Sequence, residues 1–423
     1  MKLSSKLGAA ILSIVFLFFS VLSASAQYRY EFRPAISASE TYEDNIYLDP
    51  ANEIADYITT ITPSVDFNTE SEKTGLRLFY APSFVFYDEN TDYNTTRHLA
   101  TLSWGQDLAQ HIRVDLRDTY NRSEEPIERA EDVQGVRRTR QRYWRNTGDT
   151  SLQFFFGPQN TVTFGYGQNY LENEDPNLDD GRIQTPLATL TYWFNVKNGV
   201  ELNYEYTKAD FWLDLGEADD DYTGNAAGIR FIHSSNPQTS VFIRYDFATR
   251  DFDGLTEDYN VHEGFAGFEY SFSPETSISL SGGYFVKDNE RSKSEDGPTY
   301  NILLTRRFER GSFTVGGTGG WNESYLDVER RGFTRYYSGN TRVEYQVAEP
   351  LSFYAGGTYR LDRDNTSREW DTWRGNAGIS LTFLRYLSLS LDYRYAERDD
   401  DMDTEDYESN RVMLTLTASK LYK

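Results

Sequence analysis

Leu387-Ser388-Leu389-Ser390-Leu391-Asp392-Tyr393-Arg394-Tyr395 alternates without a break. Its odd positions are aliphatic or aromatic, and its even positions are Ser, Asp and Arg. A period of two places the two sets on opposite faces of a β-strand. The pattern recurs along the chain. Val200, Leu202, Tyr204 and Tyr206 alternate with Glu201, Asn203 and Glu205. Ile112, Val114 and Leu116 alternate with Arg113, Asp115 and Arg117, and Val241, Ile243, Tyr245 and Phe247 with Phe242, Arg244 and Asp246. The polar face therefore carries full charges, not merely hydroxyls.

Two kinds of connection take turns between these strands. One kind is short and built from Pro, Gly and Asn, as in Gly157-Pro158-Gln159-Asn160, Ser235-Asn236-Pro237-Gln238 and Ala348-Glu349-Pro350. These residues supply turn chemistry. The other kind is longer and mostly acidic: 43–55, 124–139, 172–181, 214–221, 253–258, 290–297, 327–332 and 399–408. A soluble sandwich has no reason to gather its long loops at one end. An outer-membrane barrel has tight periplasmic turns and long outer loops. Closure also removes the sheet edges that lipid cannot tolerate. The reading is an all-β, transmembrane, antiparallel up-and-down barrel of about 20 strands, with 18 to 22 open. Both ends of the barrel domain lie on the periplasmic side.

Composition agrees with this. The 423 residues include 32 Tyr, 27 Phe, 7 Trp and no Cys, with a formal net charge of -24 and a mean hydropathy of -0.66. So many rings argue against disorder, and the lack of Cys excludes a disulfide scaffold. The acidity argues against nucleic acid as a partner. The hydropathy is too negative for a bundle of membrane helices. A lipid face averaged with a wet face and acidic loops gives such a value. Tyr28, Tyr42, Tyr80, Tyr170, Trp193, Tyr206, Tyr284, Trp321, Tyr359, Trp373 and Tyr395 fall near strand ends, where interfacial girdles are expected.

At the start of the chain, Lys2 and Lys6 precede the apolar stretch 7–22, and Ala24-Ser25-Ala26 follows. This is the pattern of a cleaved signal peptide, residues 1–26, ahead of a single barrel domain over 27–423. Cleavage removes two lysines and no acids, which takes the net charge from -24 to −26. The expected location is the outer membrane of a Gram-negative cell, in contact with lipid and lipopolysaccharide. A monomer is favoured over a trimer.

With the apolar set facing lipid, the polar set faces a lumen. Candidate lumen residues are Arg113, Arg117, Glu201, Glu205, Arg230, Arg244, Asp246, Arg342, Glu344, Arg360, Asp362, Arg374, Asp392 and Arg394. A barrel this wide cannot fill its interior with its own side chains, and an infolded loop is the expected constriction. Loop 124–139 is the longest candidate, with Arg137, Arg138, Arg140 and Arg142 clustered at its end. These read either as a basic constriction or as a solvated loop whose arginines pair with Glu124, Glu125, Glu128 and Asp132. Acidic runs such as 219–221 and 399–406 lack the fixed ligand spacing of a calcium loop, so neither a metal nor a cofactor is expected. The histidines, His98, His111, His233 and His262, show no nucleophile and acid at suggestive spacing. There is no G-x-S-x-G, P-loop or H-E-x-x-H motif, and the chain reads as a non-enzyme.

The first hairpin runs Pro34-Ala35-Ile36-Ser37-Ala38-Ser39-Glu40-Thr41-Tyr42-Glu43-Asp44-Asn45-Ile46-Tyr47-Leu48-Asp49 and continues through Asp56-Tyr57-Ile58-Thr59-Thr60-Ile61-Thr62-Pro63-Ser64-Val65. It resembles the start of the β-barrel porin family associated with exopolysaccharide biosynthesis and export clusters. The resemblance implies an outer-membrane pore that helps a secreted polysaccharide across, working with periplasmic export components. It supplies no catalytic residues, and Asp44 and Asn45 are expected to shape the first outer loop. The alternatives from the residues alone are a general small-solute porin and an assembly or surface-interaction protein.

Overall fold

The computed structural model describes residues 28–126, 140–212, 221–326 and 332–423. The strands are β1 (Arg29–Glu43), β2 (Asp56–Glu70), β3 (Thr74–Tyr87), β4 (Thr95–Ala109), β5 (Ile112–Ser123), β6 (Tyr143–Phe155) and β7 (Thr161–Asn173). They continue as β8 (Asp180–Trp193), β9 (Asn198–Trp212), β10 (Tyr222–Asn236), β11 (Thr239–Phe252), β12 (Tyr259–Ser273), β13 (Thr276–Asn289) and β14 (Glu295–Phe308). The last six are β15 (Gly311–Ser324), β16 (Gly332–Ala348), β17 (Leu351–Asp364), β18 (Glu369–Leu384), β19 (Leu387–Asp400) and β20 (Tyr407–Ser419).

Each strand pairs antiparallel with the next, in one 20-stranded sheet. The sheet closes where β1 meets β20, in register from Ala35↔Ser419 to Glu43↔Arg411. Below that register, Tyr422 bridges to Phe32 through two backbone hydrogen bonds of 2.8 and 2.9 Å. The penultimate aromatic thus extends the seam toward the short-turn end. Pro63 and Pro82 sit nearly opposite each other. The β2–β3 ladder breaks there, between Ile61↔Phe84 and Val65↔Tyr80. Proline brings no N–H to a ladder, and Thr62 Oγ1 bonds Ser83 Oγ at 2.8 Å across the gap.

The apolar set is exposed on the outside of the barrel. Phe353, Ile379, Leu381, Leu389, Leu391, Leu414 and Leu416 form one stretch of it on β17–β20. In water such a surface would be costly; in lipid it is the matching face. Rings mark its outer border, with Tyr359 and Trp373 centred 4.4 Å apart and Tyr42 and Tyr57 5.1 Å apart. Strands of 12 to 17 residues exceed the roughly 9–11 that span a bilayer. On β17 and β18 the surplus rises beyond Tyr359 and Trp373 at the long-loop end.

The inner face is asymmetric along the barrel axis. Apart from Thr69 and Ala81, every buried side chain among the described residues lies in the outer halves of the strands or in the outer loops. Toward the short-turn end the inner face stays open to water.

Candidate functional site

The lumen wall is built from the polar half of the alternation, and its charges are largely paired. Arg113 bonds Asp115 at 2.8 Å and Asp107 at 3.1 Å. Arg230 reaches Glu201 at 3.2 Å and Glu269 at 3.1 Å. Arg244 meets Asp246 at 2.7 Å, and Arg342 meets Glu344 at 2.7 Å. Asp392 accepts the Tyr354 hydroxyl. Glu205 and Arg374 are part-buried, and Arg117 and Arg394 are exposed. Arg360 and Asp362 differ from the rest. They form a bidentate pair at 3 % and 0 % exposure, and the Arg360 guanidinium lies 4.1 Å from the centre of the Tyr336 ring. They are packed into the outer wall and do not face open water. Arg398 and Asp400 repeat the arrangement on β19, at 2.7 Å.

The loop expected to carry a basic constriction is only partly in view. Arg137 and Arg138 lie outside the described residues. Arg140 is buried, donating to the Ile46 carbonyl at 2.5 Å and the Tyr87 hydroxyl at 2.7 Å, with Glu43 at 3.4 Å. It ties the third outer loop to the first and lines no opening. Arg142 pairs with Glu174 at 2.9 Å on the outer surface. Glu124 and Glu125 are held by strand arginines instead: Arg97 clasps both, and Arg411 reaches Glu125 at 3.2 Å. Burial alone would raise the Glu125 carboxyl, but Arg411, Arg97 and Arg140 overcome it and bring it down to about 2.

Asp44 and Asn45 do more than shape a turn. Asp44 takes both the backbone and side-chain N–H of Asn410, at 2.7 and 2.9 Å. The Asn45 amide donates to the carbonyls of Asp49 and Glu408, at 2.9 and 3.0 Å. Both fasten the first loop to β20, beside the closure seam. Asp221 and Asp400, from the acidic runs, accept hydrogen bonds or ion pairs within the fold.

The largest departure from the sequence reading is the β15–β16 hairpin. β15 follows β14 only from Gly311 to Gly319, while its pairing with β16 continues to Ser324. At Gly320 φ is +153°, a conformation that glycine adopts without the Cβ penalty. Beyond it the hairpin turns inward across the lumen. Trp321, expected in the interfacial girdle, instead stacks on Phe333 at 5.6 Å and donates Nε1 to Glu263 of β12 at 3.2 Å. Glu323 takes Arg250 of β11 at 2.8 Å, and the Tyr325 and Tyr259 hydroxyls meet at 2.8 Å. Tyr325 and Leu326 then join Tyr143, Leu171, Ala209, Phe211 and Tyr222 in one buried cluster. The hairpin is therefore anchored along the inner wall from β12 to β6. The signal for it was the run Gly316-Gly317-Thr318-Gly319-Gly320, where side-chain alternation lapses.

Three of the four histidines serve the wall. His98 bonds the Tyr80 hydroxyl at 2.9 Å, His262 that of Tyr245 at 2.7 Å, and His233 the Asn198 side chain at 2.8 Å.

No protein-family model matches the chain, and no curated protein sequence does. Among solved structures, a mutant of the ferric enterobactin receptor PfeA from Pseudomonas aeruginosa is similar, with a TM-score of 0.54 and 8% identity. That match covers 92% of this chain and 80% of that one. The FrpB iron transporter from Neisseria meningitidis gives 0.53 and 9% identity over 92% and 82%. OccAB4 of Acinetobacter baumannii gives 0.42 and 11% identity over 94% and 99%. The closed sheet, the lipid-facing belt and the first two likenesses define an outer-membrane β-barrel protein of the Gram-negative envelope.

Proposed function

We propose that the barrel is an outer-membrane exit pore for a secreted polysaccharide, reached by export directed by residues 1–26. The observation that carries the reading is the one-sided lumen. Its inner face is wet and charged toward the periplasmic turns, and its buried side chains gather toward the outside, where the β15–β16 hairpin folds in. A polymer arriving from the periplasm meets an open vestibule, whereas an external solute meets an infolded hairpin. The first-hairpin resemblance supports a polysaccharide as cargo and periplasmic export components as partners. Passage requires the β15–β16 hairpin to leave the inner wall. The paired charges suit transit, because a neutralised guanidinium still offers N–H donors to hydroxyls without holding a polymer fast. A general porin is the second reading, favoured by the same near-balance of Arg and acid along the wall. Deleting the gene and measuring secreted polysaccharide tests the first. Loss of polymer from the medium is the expected result, and normal secretion would overturn it. Planar-bilayer conductance that small solutes share and oligosaccharides never block would favour the second.

A further inference from the structure

Beneath the infolded hairpin the lumen wall holds a pocket of about 450 Å³, within the range of small-molecule sites. Its floor is aromatic, which the alternation does not lead one to expect on a wet face. Phe242 and Phe265 meet edge to face, with centroids 6.2 Å apart and planes at 82°. The Arg230 guanidinium lies 4.0 Å from the Phe242 ring centre, and that of Arg244 5.6 Å from Phe265. The two rings thus stand nearly at right angles, and a planar cation lies against each of them.

Around the two rings stand Asp246, Glu263 and Glu269. Both arginines are already committed: Arg230 is shared by Glu201 and Glu269, and Arg244 is taken by Asp246. Each guanidinium charge is already matched by a carboxylate, although the buried Arg230 Nε–H has no partner. The carboxylates, in contrast, keep spare lone pairs, since each ionised group can accept about four hydrogen bonds. The pocket therefore asks for hydrogen-bond donors on a body with a flat C–H face. It repels anions, because the three acids outnumber the two arginines that line it.

We propose that this pocket binds one uncharged sugar residue of the chain in transit. The C–H face of the sugar packs on the Phe265 ring, with Phe242 walling its side, and its hydroxyls donate to Asp246, Glu263 and Glu269. Glu263 also accepts the Trp321 indole N–H at 3.2 Å, so a sugar hydroxyl at Glu263 competes with the hairpin for one acceptor. The proposal rests on reading the lumen as a saccharide path, and it adds the class of sugar.

The test uses the full-length purified barrel, with maltohexaose, cellohexaose and mannohexaose against trigalacturonate. Binding is read by calorimetry and by tryptophan fluorescence, which need no ion flow. At least one neutral hexasaccharide is expected to bind at least tenfold more tightly than trigalacturonate. Phe265→Ala and, separately, Glu269→Gln should each weaken that binding at least tenfold while the heat-modifiable gel shift shows the barrel folded. Binding by none of the three, equal or tighter binding of trigalacturonate, or undiminished binding in both folded variants would overturn the proposal. Neutral-sugar binding alongside normal secretion in the deletion strain would sink the pore reading and leave the pocket standing. Lost secretion without any sugar binding would do the reverse.

Discussion

Charged residues two apart on one strand are a recurring polar device among the described residues. Arg113 and Asp115, Arg244 and Asp246, Arg342 and Glu344, Arg360 and Asp362, and Arg398 and Asp400 all pair within their own strand. The spacing was plain in the sequence as an alternation, but alternation says only that two side chains share a face. Whether they meet depends on how far water is excluded around them, which is set by other strands. Exposed pairs such as Arg342 and Glu344 contribute little. The buried Arg360–Asp362 pair is different, because removing one partner strands a charge. Asp362→Ala should cost about 3–5 kcal/mol in urea unfolding from lipid vesicles, and an unchanged midpoint would contradict the packing described. Glu125 makes a pH prediction. Its folded carboxyl titrates near 2 against an ordinary 4.5, so the folded state holds fewer protons between those values. Its stabilising contribution is complete above about 4.5 and is lost as pH falls toward 2. Thermal midpoints of the wild type should fall more steeply through that window than those of Glu125→Gln.

At the scale of elements, the strands were legible because the period-two pattern and the turn residues are local. The alternating stretches that open at Leu387 and Ile112 begin where β19 and β5 begin. The inward hairpin was not legible. Trp321 is in phase with the outer face of its strand, and only the departure of β15 from β14 after Gly319 turns that face onto the inner wall. That departure is a tertiary event, hinted at by glycines but encoded in what Tyr325 and Leu326 find on β6–β10. Phe242 was visible as an apolar residue among inward positions, yet its partner Phe265 lies on a neighbouring strand. Leu326→Asp places a charge in the apolar cluster, where burial of an unpaired carboxylate is heavily penalised. The hairpin should leave the wall, and single-channel conductance should rise several-fold. A variant with wild-type conductance would show that the hairpin does not obstruct the lumen.

For the whole molecule, closure of a long antiparallel sheet with lipid outside and water inside explains the composition. The rings form girdles and inner clusters, and the acids divide between paired lumen positions and outer loops. The strand count followed from counting turns, whereas the axial asymmetry of the lumen could not be counted. It arises from loops and one hairpin folding back, with partners far away in sequence, such as Arg140 on Ile46 and Arg411 on Glu125. One labelling experiment tests that asymmetry. The chain has no cysteine, so Ser281→Cys places a single thiol in the lumen beneath the hairpin, and Thr366→Cys places one on an exposed outer loop. Cells expressing each variant are treated with a maleimide carried on a polyethylene glycol too large for ordinary porins, before and after the outer membrane is permeabilised. Thr366→Cys should label in intact cells. Ser281→Cys should label only after permeabilisation, when the reagent reaches the periplasmic mouth. Labelling of Ser281→Cys in intact cells would contradict a lumen closed to the outside.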